Sequence, residues 1–463
     1  MMALLLAAAL GGVYTVSPGQ SIQTALDQAA WGDTVLLLPG THGGAGLHLA
    51  ELTGAHDGVT LLGDPQSPQD VVLDGSALDE CVILVDGTLS GEVGPSTVIR
   101  GITFRYGDSG ADPFGGGIRM NHASPVIDLC VFDQCQADNG GGMYVWKGTP
   151  KITGCTFTDC NTESAGAGIY LYRSDATISG CRFQGCGSND DGGGVYMYHS
   201  SPTIFNCLFV DGWANDDGPA VYCYTLSSPD VGNCTFTGGG ANGDGAGVYF
   251  RVESGGYIHD NIVADNATTA FCQKGGADPV FSHNCVWNNA GGHYVNLPDP
   301  TGQEGNIEAD PLFAGDWYLS STGAGQPQQS PCVDTGSVSA AAAGLAVYWT
   351  RTDSLPDSGT VDMGYHHGPP EEWMGIEPHA GQQAPALIAR PCPTIGSLSL
   401  SCGGRSIGLA RVVDLAGRTV FEAQETGASL NVDLPPELPS GVYLVTAIVE
   451  GAPRSTSVVL VRR

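Results

Sequence analysis

The stretch GGGVYMYHSSPTIFNCLFVDG, residues 192–212, sets three glycines before a run in which aliphatic and aromatic residues alternate. Similar stretches recur along the chain. The aliphatic residue after each glycine-rich start is Ile118, Met143, Ile169, Val195, Val221 or Val248, at intervals of 25, 26, 26, 26 and 27 residues. A repeat with this period predicts a solenoid in which each repeat forms one turn.

The remainder of each repeat is equally regular. Aligned repeats give three rows of one residue type: Ile127, Ile152, Ile178, Ile204 and Val231; Cys130, Cys155, Cys181, Cys207 and Cys234; Phe132, Phe157, Phe183, Phe209 and Phe236. Three short strand segments per repeat fit one turn of a parallel β-solenoid, whereas helical spacing is absent and glycine interrupts every unit. Turns stacked about 4.8 Å apart would align the phenylalanines as a continuous inner ladder.

The flanking segments point to a known fold class. Residues 13–42, VYTVSPGQSIQTALDQAAWGDTVLLLPGTH, indicate a strand, a short amphipathic helix and a second strand. With this start, the chain resembles the right-handed parallel β-helix proteins of the pectate-lyase-like class, whose first coil is often covered by such a helix. Residues 306–336 and 357–367 look like closing coils of that class. The resemblance spans residues 13–368 and implies an all-β, right-handed parallel β-helix with an N-terminal capping helix.

A second domain is predicted at the C-terminus. From residue 390 onward there are 7 basic and 6 acidic residues, against 10 and 42 in the preceding part. We therefore expect a linker at 369–389 and a small Ig-like β-sandwich at 390–463, since short alternating strands follow. The motifs DLAGR at 414–418 and LPSGVY at 438–443 resemble the sorting domain of proteins exported by the type IX secretion route. The alternative is an ordinary Ig-like accessory domain.

The sorting-domain resemblance implies a bacterial protein that is secreted or held at the cell surface, with the outer-membrane secretion machinery as a partner. The sequence RPCPT at 390–394 departs from the proline-asparagine-proline entry usual in that family. Residues 1–12, MMALLLAAALGG, are interpreted as a signal-peptide remnant. No later apolar run reaches the roughly 18 residues that a membrane helix needs, so no transmembrane segment is expected in the mature chain.

Charge limits the choice of partners. The chain has 48 acidic and 17 basic residues and a formal net charge of −31. Such an excess argues against nucleic acid or anionic lipid as a ligand and favours cations.

Strand alternation turns two rows of aromatic residues away from the core, because Val195 and Met197 point inward. The first row is Tyr144, Tyr170, Tyr196, Tyr222 and Tyr249, and the second row is Trp146, Tyr172, Tyr198 and Tyr224. An exposed patch of this size is usually functional, and aromatic rings stack on the apolar faces of sugars. We predict that both rows bind polysaccharide, for example a cell-surface glycan. Two other interpretations stay open: stacking that only stabilises the sheet, or contact with another protein.

Charged columns flank these rows. The acidic column is Asp138, Glu163, Asp190, Asp191, Asp216, Asp217 and Asp244, and the cation column is His122, Lys147, Arg173 and His199. In the pectate-lyase-like enzymes, acids in the matching loops hold Ca²⁺, and an Arg or Lys takes the proton α to a uronate carboxylate. By that resemblance, the Ca²⁺ candidates are Asp190, Asp191, Asp216 and Asp217. Arg173 or Lys147 would be the base.

Three function hypotheses follow. The favoured one is a polysaccharide-binding surface protein. A Ca²⁺-dependent lyase or a hydrolase acting on acidic glycans is the second, and a structural adhesin or passenger without a small ligand is the third. The cysteine rows are expected to be buried free thiols, with disulfides or metal sites as alternatives. Cys392 and Cys402 are a candidate disulfide pair. His283, His366 and His367 are expected to be surface or loop residues rather than metal ligands.

Overall fold

The computed structural model describes residues 11–43, 50–88, 91–110, 113–245 and 247–368, together with the backbone of seven strands between residues 388 and 460. Three long parallel sheets run through residues 13–308, and neighbouring strands in each sheet come from successive turns of the chain. This arrangement is a parallel β-solenoid of about ten turns, as the repeat predicted.

Each sheet is named here after its most regular row. The tyrosine sheet contains Ala50–Thr53, Ile83–Asp86, Ile118–Asn121, Met143–Trp146, Ile169–Tyr172, Val195–Tyr198, Val221–Tyr224, Val248–Arg251, Phe271–Lys274 and Tyr294–Val295. The isoleucine sheet contains Val13–Val16, Thr34–Leu37, Thr60–Leu62, Val98–Arg100, Val126–Asp128, Lys151–Thr153, Thr177–Ser179, Thr203–Phe205, Asp230–Gly232, Gly255–His259 and Asp278–Ser282. The phenylalanine sheet contains Gly40–Gly43, Val71–Asp74, Thr103–Arg105, Val131–Asp133, Thr156–Thr158, Arg182–Gln184, Leu208–Val210, Thr235–Thr237, Ile262–Ala264, Cys285–Trp287 and Ile307–Glu308. A smaller loop sheet contains Gln136–Asn139, Asn161–Ala165, Gly187–Ser188, Trp213–Ala214 and Gly240–Ala241.

The predicted phenylalanine ladder is confirmed. Phe132, Phe157, Phe183, Phe209 and Phe236 pair in register through successive strands. Their ring centroids lie 4.6–4.9 Å apart with interplanar angles of 2–11°. Burying each ring contributes roughly 2–3 kcal/mol, and a register slip would turn every ring out of the core.

The glycine triplet lets the chain pass between two rows of rings. Gly192 has a φ of +68°, and a Cβ at this position would lie 3.0 Å from the Cβ of Tyr196. A Cβ on Gly194 would lie 2.9 Å from Cδ1 of Phe209. Glycine is therefore required at position 192 by the backbone conformation and at position 194 by the rings of the inner phenylalanine ladder.

The cysteine rows form no disulfides in the part of the chain described with side chains. The thirteen cysteines found there are all buried and free. The Sγ of Cys155, for example, lies 3.6 Å from the carbonyl oxygen of Ile127 in the preceding turn and donates to it. This confirms the buried-thiol interpretation for these residues.

The helical content is small. The one α-helix among the described residues, Ile22–Leu26, is capped by Ser21, whose side chain accepts a hydrogen bond from the backbone N–H of Thr24. Ile22 and Leu26 are buried in the solenoid core. The covering role of this helix stays a prediction. The 3₁₀-helices are Gly54–His56, Pro68–Asp70 and Thr322–Ala324. No helix in the described ranges is long and apolar enough to cross a bilayer.

Beyond the solenoid, only backbone strands are described. An antiparallel three-stranded sheet contains Ile388–Arg390, Ser397–Ser401 and Ser429–Asp433, and an antiparallel four-stranded sheet contains Ile407–Val413, Thr419–Gly427, Gly441–Val449 and Ala452–Leu460. The Ig-like sandwich and the sorting domain stay predictions, as do the domain boundaries. Residues 1–10, most of the linker, the 414–418 motif, Cys392 and Cys402 lie outside the described residues.

The predicted closing coils take a different course. The last parallel strand is Ile307–Glu308, and the chain then folds back along the outside of earlier turns. We call residues 332–367 the strap. The side chain of Asn206 accepts from the His366 N–H at 2.6 Å and donates to its carbonyl at 3.1 Å. The side chain of Asn233, one turn later, donates to the carbonyl of Asp362 at 3.0 Å. These asparagines sit at corners with positive φ, which directs their amides toward the strap.

The strap also buries apolar and charged groups. Leu345, Tyr348 and Val361 pack with Phe205 of the isoleucine sheet in one buried cluster. The carboxylate of Asp260, 1% exposed, accepts from the N–H and the hydroxyl of Ser337, each at 2.6 Å. We call the contacts of this carboxylate the clasp.

His259 is a titratable partner of the Asp260 carboxylate, so the stability of the clasp is expected to depend on pH. Burial lowers the pKa of His259, but hydrogen bonds to Asp230 and Asp260 outweigh burial and raise the pKa from 6.5 to about 9. A raised histidine pKa adds stability that is complete below about pH 6.5 and is lost as the pH rises through about 9.

We expect the free energy of unfolding of the strap to fall by up to a few kcal/mol between neutral pH and about pH 10. Thermal unfolding across this range checks the expectation. The variant His259→Gln should be less stable at neutral pH and should lack the alkaline loss. An identical alkaline loss in the variant would contradict the assignment.

Candidate functional site

The outer face of the tyrosine sheet carries both aromatic rows, as alternation predicted. Val195 and Met197 belong to the solenoid core, whereas Tyr196 belongs to a separate cluster outside it. Tyr170, Tyr196 and Tyr222 are register partners on three successive turns. The rows are therefore continuous along the solenoid axis.

The first row is not exposed, which corrects the sequence expectation. Tyr144, Tyr196, Tyr222 and Tyr249 are only 7%, 7%, 0% and 1% exposed, and Tyr170 is half-buried. Their rings stack at centroid distances of 4.8–5.3 Å along the row. The loops that carry the acidic residues cover the row from the side, because the backbone of the glycines in these loops lies directly against the tyrosine rings. This row can stabilise the sheet, but it offers little surface to a polymer.

The second row is half-buried throughout and keeps part of its surface accessible. Tyr172 stacks on Tyr198 at a centroid distance of 5.4 Å, and the Tyr198 ring lies 5.4 Å from that of Tyr224 with a tilt of 32°. Because the ring faces are turned toward one another along the axis, the row offers the edges of its rings rather than their faces. Trp146 begins the row and contacts the His122 ring edge-on at 4.6 Å. The expected stacking of sugar faces on tyrosine faces is therefore not the geometry that this surface provides.

The cation column adjoins the second row. His122, Lys147, Arg173 and His199 all have positive φ values, between 50° and 58°, and occupy the same corner of successive turns. The Lys147 ammonium lies 5.2 Å from the Trp146 ring centroid, and the Arg173 guanidinium lies 5.5 Å from that of Tyr172. Each cation is thus held against the aromatic residue before it, at the border of the row.

Three of the four predicted Ca²⁺ ligands converge. Asp190, Asp191 and Asp216 each offer a carboxylate oxygen, and these oxygens lie within 4.8 Å of one another. Asp217 has another role, because its carboxylate accepts the N–H of Asp244 at 2.8 Å. Burial, followed by the charge of Asp190, raises the pKa of Asp191 to about 6. Such an arrangement of hard oxygens suits a Ca²⁺ ion.

Arg251 joins the acidic cluster to the aromatic rows, a role that the sequence did not reveal. Its Nη1 donates to the Tyr222 hydroxyl at 2.8 Å and lies 3.7 Å from Oδ2 of Asp191. Its guanidinium also lies 5.5 Å from the ring centroid of Tyr224. The hydrogen bond from Arg251 to Tyr222 raises the arginine pKa. Register was the available signal, since Arg251 continues the second row after Tyr224.

The predicted catalytic residues do not share a centre with the acids. The acidic loops precede each tyrosine-sheet strand, and the cation column follows it. A four-residue strand such as Val195–Tyr198 separates the two by roughly 13 Å. Arg173 and Lys147 therefore border the second row, whereas Arg251 is the cation at the acidic cluster.

Comparisons with known proteins agree with this fold. A family model described as a right handed beta helix region matches residues 92–236, which contain the regular repeats. The described solenoid is therefore a right-handed parallel β-helix. No curated protein matches the chain.

Among solved structures, one similar chain is a mutant of AlyGC, an alginate lyase of the PL6 family. It shows 13% identity and a TM-score of 0.25, covering 67% of this chain and 56% of that chain. The present chain thus spans little more than half of that lyase. A likeness at this level bears on neither activity nor substrate.

Proposed function

We propose that this protein binds an acidic polysaccharide laid along the solenoid axis, on the second row and the cation column. The observation that carries the proposal is the register that places a half-buried aromatic residue beside one cationic or titratable side chain on each of three turns: Trp146 with Lys147, Tyr172 with Arg173, and Tyr198 with His199. Turns repeat about every 4.8 Å, so a polymer would meet a similar set of contacts at each step.

The chemistry of this strip favours a polyhydroxylated anion. Phenol hydroxyls donate and accept hydrogen bonds, and Lys147 and Arg173 can pair with carboxylates. The overall charge of −31 does not prevent this pairing, because charges beyond about 8 Å are largely screened at physiological ionic strength. The acidic column lies across the sheet, at the other end of these strands.

The location of the protein is part of the proposal. The signal-like residues 1–12 and the sorting-domain resemblance support a secreted or surface-attached bacterial protein, which would meet polysaccharide outside the cell. The outer-membrane secretion machinery would be its export partner.

Loss of the second row should weaken glycan binding. We expect Tyr172→Ala/Tyr198→Ala to reduce the affinity for alginate or polygalacturonate about 30-fold, since each phenol hydrogen bond that is lost contributes about 1 kcal/mol. Calorimetric titration with oligouronates measures the effect. Trp213→Ala is the control, because Trp213 is an exposed aromatic residue on the loop sheet. Equal affinity in the double variant and the control would contradict the proposal.

A lyase activity is the second candidate, favoured by the convergence of Asp190, Asp191 and Asp216 beside Arg251. Bound Ca²⁺ would withdraw charge from a uronate carboxylate and acidify its α proton. Ultraviolet absorbance of unsaturated uronates, followed with Ca²⁺ and with chelator, tests this candidate. Two results would refute it. One is that the Asp191→Asn/Asp216→Asn variant keeps the activity, and the other is that the wild type shows no activity on any uronan.

A further inference from the structure

A second group of ionisable side chains lies in the strap. Asp357, Asp362 and His366 are 8%, 3% and 0% exposed, and one ligand atom of each lies within 4.8 Å of the others. We propose that this cluster is a structural site for a divalent transition-metal ion, Zn²⁺ by its ligand set, and that the ion fastens the strap to the solenoid.

The orientation of His366 is the first support. Its Nδ1 lies 3.0 Å from the carbonyl oxygen of Gly364, and a carbonyl oxygen only accepts, so Nδ1 carries a proton. In the neutral ring, Nε2 then presents a lone pair, and it faces Oδ2 of Asp357 at 2.9 Å. Two acceptors at this distance require a proton or a cation between them. Metal-binding histidines are oriented by such an N–H bond to a carbonyl from the other ring nitrogen.

Charge is the second support. The Asp357 and Asp362 carboxylates share one dry site, since these residues are only 8% and 3% exposed. Two ionised carboxylates so close together in the interior are costly without a balancing cation. Arg351 pairs with Asp353 instead, through its Nη2 and Oδ2 at 2.6 Å. A divalent ion with a neutral histidine would balance both carboxylates.

The carboxylates are already held in place by neighbouring donors. The N–H of Asp334 donates to Oδ1 of Asp362 at 2.7 Å, and the N–H of Asp362 donates to Oδ2 of Asp357 at 2.9 Å. The Thr350 hydroxyl donates to Oδ2 of Asp362. Such second contacts fix the direction of metal ligands.

The ligand set selects the metal. One imidazole nitrogen with two carboxylates suits Zn²⁺, whereas Ca²⁺ and Mg²⁺ prefer oxygen ligands alone. Zinc bonds of 2.0–2.2 Å place tetrahedral ligand atoms about 3.4 Å apart. The Nε2–Oδ2 pair of His366 and Asp357 would open slightly from 2.9 Å, and the other ligand atoms, which lie within 4.8 Å of one another, would adjust by a similar small amount to reach this spacing.

The position of the cluster gives the ion its role. The backbone of His366 is held by Asn206, and that of Asp362 by Asn233, on two middle turns of the solenoid. An ion joining the three side chains would therefore tie residues 357–366 into one rigid unit at this docking point. Its release would loosen the strap without dismantling the phenylalanine ladder.

The test uses the full chain, stripped with chelator and then supplied with Zn²⁺, Mn²⁺ or Ca²⁺. Elemental analysis should find about one Zn²⁺ per chain, and thermal denaturation should shift upward by about 5 °C with Zn²⁺. His366→Gln should lose both effects. His283→Gln, which changes a half-exposed histidine outside the cluster, should keep them.

A second measurement keeps the test independent of whether the variant folds. Hydrogen exchange of the wild-type strap amides should slow when Zn²⁺ is added, and Co²⁺ should give the visible absorbance of a tetrahedral site. Three results would overturn the proposal: no stoichiometric Zn²⁺ in the wild type, a larger shift with Mn²⁺ or Ca²⁺, or an equal loss of Zn²⁺ in both histidine variants.

Discussion

Phe183→Ala is expected to lower the free energy of unfolding by about 3–5 kcal/mol, the range for truncating a buried phenylalanine. Phe183 is 2% exposed, and its ring lies 4.7 Å from that of Phe157 and 4.6 Å from that of Phe209. The variant removes both stacking contacts and leaves a cavity in the middle of the ladder. Because each turn is stabilised mainly by its neighbours, protection from hydrogen exchange should fall in all three turns.

Chemical denaturation of the wild type and the variant measures the effect. Gln184→Ala is the matched control, since Gln184 is the next residue of the same strand and points away from the core. The control should change stability by less than about 0.5 kcal/mol. A Phe183→Ala cost no larger than the control would show that the stacked rows do not stabilise the solenoid.

Asp260→Ala is expected to release the strap while the solenoid stays folded. The variant removes both acceptors of Ser337 and leaves His259 without one of its two carboxylates. Breaking a buried charge pair by removing one partner costs about 3–5 kcal/mol. The strap amides, including that of Gly364, should exchange much faster, whereas amides beside the phenylalanine ladder should not.

Hydrogen exchange followed by mass spectrometry separates these two regions. The control is Asp265→Ala, because Asp265 has nearly the same positive φ as Asp260, 59° against 57°, but is exposed. The backbone cost of alanine is therefore common to both variants. Equal exchange of the strap in the two variants would mean that the clasp does not hold it.

The solenoid was predictable because its stabilising contacts are periodic. One residue type recurs every 25–27 positions, so sequence spacing alone indicates which isoleucine, cysteine and phenylalanine side chains become neighbours. Alternation then assigned Val195 to the core and Tyr196 to the outer face, and the structure agrees.

Burial of the outer face was not predictable in the same way. The alternation of side chains along the strand predicts that Tyr222 points outward. It does not predict that an acidic loop and two neighbouring rings cover this side chain. The strap was missed because Asn206 and His366 are 160 residues apart and no repeat relates them. Arg251 was missed as a partner of the acids because its contact with Asp191 joins turns that are two repeats apart rather than following a row.

The central claim is that the second row and the cation column together bind an acidic polysaccharide. The most direct measurement is the salt dependence of oligouronate affinity for the wild type and for Lys147→Gln/Arg173→Gln. We predict that the wild-type affinity falls steeply with ionic strength, and that the variant binds more weakly and with a shallower slope. Identical slopes for the two proteins, or equal wild-type affinity for a neutral glucan, would contradict the account.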